Sequence, residues 1–271
     1  MIKLRTNAWI GGALVSSLVA MALLSMVWTP YDPLRISLKL RLNAPSAAHW
    51  LGTDEFGRDV MSRIIAGAGA SLLVAALTVL SALALGTVLG LLAGYFRGVV
   101  DRVLMVINDA LLAFPGILLA LGVMAIVGAN KYGIILALGL AYAPTAVRLV
   151  RGTVLSLREK EYIEASRVIG NSEFFTIMRH VMPNCAAPLV VLATSMFGWI
   201  ILAESSLSFL GLGVPPPAPT WGNMLSSGRP YIESAAWLGI APGLCIAMTL
   251  LGINLLGDAL RDWLDPRMER N

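Results

Sequence analysis

Runs of about 20 residues without a single charge recur along this chain, and no other feature limits its fold as tightly. They are Thr6–Tyr31, Ile64–Phe96, Ala110–Asn130, the shorter Tyr132–Val147, His180–Ala203 and Ser234–Gly257. A helix needs about 20 apolar residues to cross the hydrocarbon core of a bilayer. Inside that core every backbone group must be satisfied internally, which an α-helix does alone. The pattern therefore predicts an all-α integral membrane protein with six transmembrane helices. Charged residues are 13% of the chain, against about 25% in a soluble domain. That excludes an ordinary soluble enzyme. A further charge-free run, Ser205–Gly228, contains Pro215, Pro216, Pro217 and Pro219. Consecutive prolines break a helix, so this piece reads as a loop. Lys3 and Arg5 before the first run would suit a signal peptide. The run is longer than the usual apolar region of about 7–15 residues, so it is read as a retained helix.

Orientation follows from the distribution of Lys and Arg, which concentrate on the cytoplasmic side. Placing both termini inside puts thirteen cations inside and seven outside. Five of the outer ones, Arg35, Lys39, Arg41, Arg58 and Arg63, lie in one segment, part of which reads as an interfacial helix. Two polar insertions stand out: Thr29–Ala70 outside and Arg148–Pro183 inside. The division that follows is an N-terminal helix with an external segment over residues 1–70, and a core of five transmembrane helices over residues 71–271. The core carries an inner loop at about 155–183 and a cytoplasmic C-terminal tail.

The chain has no Gly-Lys pair, so a phosphate-binding Walker loop cannot be built. His49 and His180 fall on opposite predicted sides and cannot share a metal. Cys185 and Cys245 give neither a disulfide framework nor zinc spacing. No Gly-x-Ser-x-Gly elbow occurs. A polytopic chain without an energy-converting site is a passive pore, a secondary transporter or one subunit of a larger machine.

In the inner loop, Glu159–Asn184 reads EKEYIEASRVIGNSEFFTIMRHVMPN. Ala165, Val168 and Ile169 share one helical face, with Glu161, Glu164 and Arg167 on others. Gly170 suits the left-handed residue that ends a helix. Asn171 or Ser172 can cap a second helix, with Glu173 at its positive end, and Pro183 is read as ending it. Two short helices at an angle could dock in a partner's groove; the same pattern also reads as a solvated linker. Glu164, Ala165, Ser166, Gly170 and Pro183 resemble the EAA loop of ABC importer permeases, with Ser166 in place of the usual second alanine. LGTDEFGRDVMSR at Leu51–Arg63, SFLGLGVPPPAPTWGNML at Ser208–Leu225 and GDALRDWLDPR at Gly257–Arg267 are similar to signatures of the dipeptide/oligopeptide/nickel branch, C-type subunit.

The resemblance implies a type I importer permease fold whose inner loop is a coupling helix seated on an ATPase. It implies a homologous second permease, two ABC ATPase subunits and an extracytoplasmic substrate-binding protein as partners, with no nucleic acid. It also implies a bacterial inner-membrane location and no catalytic residue, cofactor or metal in this chain, ATP and Mg being bound by the partner subunits. The implied cargo is di- or oligopeptide, moved by ATP-driven alternating access, with nickel, metal chelates and glutathione as alternatives. A secondary transporter or channel is the other class.

Further candidates come from the residues themselves. Asp54, Gly57, Arg58 and Asp59 form an external signature loop, read either as a rigid turn or as a contact for substrate or binding protein. Asp109, inside the third span just before its charge-free run, and Glu204, at the end of the fifth span, are candidates for the translocation path or gate. Asp109 would alternatively pair with Arg102 or Arg148. Gly86, Gly90 and Gly94 make a small-residue face for close helix packing, within the subunit or against the companion. Trp221 is read as an interfacial residue on an external lip.

Overall fold

The computed structural model describes residues 2–264. Its helices are α1 (Ile2–Leu24), α2 (Val60–Phe96), α3 (Gly98–Leu112), α4 (Gly116–Val127), α5 (Lys131–Arg158), α6 (Glu161–Val168), α7 (Glu173–Thr176), α8 (Met182–Phe209), α9 (Trp221–Gly228) and α10 (Trp237–Leu264). Among the described residues five helical segments are long and apolar enough to cross a membrane. A sixth span is counted if α3 and α4, bent by 94°, are taken as one. Asp265, Arg267 and Arg270 of the C-terminal tail lie outside the described residues.

The third span is therefore not the straight helix its charge-free run suggests. Pro115 lacks an N–H and biases Phe114 away from helical geometry, so the chain turns there. Asp109 falls on α3, outside the apolar rod of α4. The fourth span is longer than expected. It continues past Val147 to Arg158 and carries Arg148, Arg151 and Arg158 on the helix rather than in a loop. In the fifth, a π-helical turn at Ile177–Val181 joins α7 to α8. Pro183 lies in the first turn of α8, where a missing N–H costs nothing. It continues the helical path instead of ending it. α8 then runs beyond Glu204 to Phe209. Among the described residues between α1 and α2 the one helical piece is a 3-10 turn at Leu38–Leu40, in place of an interfacial helix, and the rest of the external segment from Val60 on already belongs to α2.

The 37 residues of α2 span about 55 Å at 1.5 Å per residue, well beyond a hydrocarbon core of about 30 Å. α2 and α5 form the central pair. Gly86, Gly90 and Gly94 make that pairing close. A Cβ on Gly86 would lie 2.4 Å from the Ala146 Cβ, one on Gly90 2.7 Å from the Val150 Cβ, and one on Gly94 2.9 Å from the Val154 Cβ. This small-residue face is thus consumed inside the subunit. Overpacking of this kind costs about 1–3 kcal/mol. Gly90→Val is expected to lower the midpoint of thermal unfolding of the detergent-solubilised protein; an unchanged midpoint would contradict the close α2–α5 contact.

Two cores result. The larger holds Val74, Leu138, Met196, Ile200 and Trp221, drawn from α2, α5, α8 and α9. The smaller lies at the C-terminal end of α2 and gathers Tyr95, Val150, Val154, Ile163, Val181 and Cys185. Through Ile163 and Val181 it mounts the α6–α7 segment on the ends of α2 and α5.

Candidate functional site

The α6–α7 corner is built by its caps. Gly170 takes φ +89°, a left-handed conformation that L side chains rarely adopt. It stops α6 and turns the chain. Ser172 then caps α7, its Oγ accepting from the Phe175 N–H at 3.2 Å. Ser166 does not face outward with its neighbours. It is buried, 3.0 Å from the Thr176 Oγ1, and its Oγ accepts from Asn171 Nδ2 at 3.1 Å. The Ser166 hydroxyl thus pins α6 to α7. Glu164 and Ala165 are exposed. Beside them stand Val168, 81% exposed, Ile169, 78%, and Phe174, 73%. These bulky apolar side chains project from the corner with an acidic residue at their flank. Scattered single apolar residues on a surface need no explanation, but a contiguous patch marks an interaction site.

At the opposite end of α2 the signature loop forms a buried polar knot. The Asp54 carboxylate accepts from the Phe56 and Arg58 N–H groups, both at 2.9 Å, and from Arg58 Nε at 2.6 Å. Arg63 Nε lies 3.4 Å from the same carboxylate. Asp59 caps α2, accepting from the Ser62 N–H at 2.8 Å, and its other oxygen lies 2.9 Å from His49 Nδ1. Arg58 is therefore paired with Asp54 and Glu55, not with Asp59. Gly57, at φ +72°, passes so close to Ser37 that a Cβ would lie 1.8 Å from its carbonyl oxygen. Trp237 Nε1 donates to the Thr53 carbonyl at 3.2 Å and ties the loop to α10. Of the buried side-chain polar atoms of the signature, one Glu55 oxygen lacks a partner, and the others are held within the protein, which supports the rigid-turn reading. It also explains two of the outer cations, since Arg58 and Arg63 are both neutralised locally.

Burial raises the Glu55 carboxyl above its ordinary value of 4.5. A carboxyl whose pKa is raised on folding stabilises fully below its unfolded value and loses that contribution as pH rises through the elevated one. Loop stability should fall as pH rises from about 4.5, and Glu55→Gln should flatten that part of the profile. Thermal unfolding across this pH range checks it; an identical slope in both proteins would contradict it.

The two path candidates separate. Asp109 pairs with Arg148, one of the two arginines named from sequence, at 2.8 Å, and both side chains are more than half exposed. A second pair, missed in the sequence, joins Asp101 to Arg151 through two bonds of 2.5 and 2.7 Å. Together they strap α3 to α5. Glu204 does not face an open mouth. It is fully buried beside the α8–α9 contact, where Ser208 Oγ donates to one oxygen at 2.8 Å and the other oxygen has no partner. The loop reading of residues 205–228 missed α9, an eight-residue helix whose cap, Thr220, exchanges bonds with Asn223. That Thr-x-x-Asn spacing was its one sequence signal. Trp221 is not interfacial. It is wholly buried, donating from Nε1 to the Ile64 carbonyl and from its N–H to Ser71 Oγ, both at 3.1 Å. Among the described residues no group of three His, Cys, Asp or Glu side chains is placed to hold a metal.

Comparison with known proteins bears on the family and the fold. Residues 86–270 match the family model for the binding-protein-dependent transport system inner membrane component. The chain is 42% identical to the dipeptide transport system permease protein DppC of Alkalihalophilus pseudofirmus, over 99% of this chain and 88% of that one. It is 44% identical to the glutathione transport system permease protein GsiD of Pectobacterium atrosepticum, over 95% and 86%. Among solved structures, the inward-facing MetNI methionine ABC transporter superposes with a TM-score of 0.61 at 19% identity, covering 76% of this chain and 97% of that one. The fold is that of the type I ABC importer permeases. With a family match over most of its length and relatives above 40% identity along nearly all of it, the chain belongs to the binding-protein-dependent transport system inner membrane components.

Proposed function

We propose that this chain is the permease subunit of an ATP-driven peptide importer, and that α6–α7 is the element an ATPase subunit grips. The observation that carries the reading is the exposed Val168–Ile169–Phe174 patch beside Glu164, held on the bundle by a core of its own. An apolar knob with a rigid base can transmit a push; a solvated linker would show neither. Glu164, Ala165 and Gly170 shape its surface, Ser166 holds its two helices together, and Pro183 starts the span that leaves it. The corner lies about 55 Å from the signature loop, the length of α2. The Lys and Arg distribution supports a cytoplasmic side for the corner and both termini. The signature loop and α9 then face a binding protein on the other side. Residues 1–70 add a peripheral helix and the outer knot to a core over residues 71–271, α2 running through the boundary.

The path is shared with a homologous second permease, and two ATPase subunits bind ATP and Mg and drive alternating access. On this reading the subunit hydrolyses no ATP by itself. Asp109 acts by strapping α3 to α5, and Glu204 by holding the outer end of α8 against α9. Peptides are the cargo this reading favours, from the dipeptide transport relative. The glutathione transport relative keeps a second peptidic cargo in view.

Competition against labelled dipeptide uptake, in cells dependent on this permease, tests the cargo. Unlabelled di- and oligopeptides should compete and nickel should not. Competition by glutathione alone would reassign the cargo, and uptake driven by an ion gradient without ATPase subunits would overturn the class.

A further inference from the structure

The α6–α7 corner touches α2 through one residue whose place is otherwise unexplained. Tyr95, in the last turn of α2, is 3% exposed. Its Oη donates to Glu173 at the start of α7. Its carbonyl accepts from Arg158 at the end of α5. The guanidinium carbons of Arg158 and Arg167 lie 5.2 and 5.3 Å from the centre of its ring, and Arg167 Nε is 3.7 Å from Glu173. One side chain thus joins α2, α5, α6 and α7. Arginine over an aromatic face adds attraction beyond area burial, and a hydroxyl bonded to a carboxylate is stronger than a neutral bond. At its far end α2 holds the outer loop through the Asp59 cap and carries Trp221 of α9 on Ile64 and Ser71.

We infer that Tyr95 is a positioning residue that makes the α6–α7 pair and α2 one mechanical body. A displacement of the pair then moves α2 along its length and shifts α9 at the outer end. This rests on the reading that α6–α7 docks an ATPase. The hydroxyl is the specific element, because the ring would stay packed without it.

The test uses the complete transporter in liposomes, with both permeases, the ATPases and the binding protein. Tyr95→Phe removes only the Oη, and Glu173→Gln alters its half-exposed partner. Each should lower peptide imported per ATP hydrolysed at least about fivefold, the factor a lost hydrogen bond corresponds to, while complex assembly and ATPase rate stay near wild type. The double variant should lose no more than the worse single one, because both act on the same contact, Tyr95→Phe by deleting its donor and Glu173→Gln by neutralising its acceptor. A distance probe between α6 and α9 should lose its ATP-dependent change in both single variants. Unchanged import per ATP, additive losses, or failure of both variants to assemble would each overturn the inference. Val168→Glu separates the two levels. If it imports normally, the docking reading fails and this inference with it; if it is inactive while Tyr95→Phe is fully coupled, the inference alone fails.

Discussion

Val168→Glu is expected to reduce ATP-driven import at least ~30-fold, the loss that marks an interface anchor, while leaving insertion and folding intact. Val168 is 81% exposed at the last turn of α6, so a charge there costs the isolated subunit almost nothing. In a complex it would lie on the docked surface, where burying a carboxylate without a partner is heavily penalised. Glu164→Lys tests the flank of the same surface. Reversing a rim charge changes association more than the stability of the bound state, so its loss should be smaller and should depend on salt. Co-purification of the ATPase subunit measures both. Normal import and co-purification in Val168→Glu would show that the patch meets no partner.

The second large effect lies at the other end of α2. Asp54→Ala should destabilise the protein by about 3–5 kcal/mol, the range for breaking a buried ion pair from one side. The substitution leaves Arg58 and Arg63, at 10% and 6% side-chain exposure, without their shared carboxylate. It also frees two backbone N–H groups that Asp54 holds. The knot should open, and protease cleavage between residues 43 and 57 should accelerate before the spans unfold. Arg58→Met should cost less, because it removes a charge and leaves Asp54 with Arg63 and both N–H donors. Equal protease resistance in wild type and Asp54→Ala would contradict the ion-pair account of this loop.

What could be read from sequence was what depends on local pattern. The charge-free runs located the spans because insertion energetics act on each segment separately. The Gly86–Gly90–Gly94 spacing announced a close helix contact, and the Gly170–Ser172 turn announced the α6–α7 corner. Features set by distant partners were not legible. Pro115 marks the turn, but α3 before it is held on α5 by Asp101–Arg151 and Asp109–Arg148, pairs separated by 50 and 39 residues. Trp221 is amphipathic and suits an interface by type, yet α2 offers its indole a buried acceptor more than 150 positions away. Glu204 looked like the end of a span because its charge closes the fifth run and a proline-broken stretch follows it. The helix in fact continues to Phe209, and α9 folds over it. Pro183 looked like a stop and proved to be a start, since a π-turn before it absorbs the change in register.

The side of the membrane on which the α6–α7 corner lies tests the central claim most directly. Val168→Cys, made in a background lacking Cys185 and Cys245, should be modified by a membrane-impermeant thiol reagent in inverted vesicles and not in intact cells. Added ATPase subunit should protect it. Modification from outside the cell, or labelling in inverted vesicles that the ATPase does not change, would contradict the claim that a motor grips this corner.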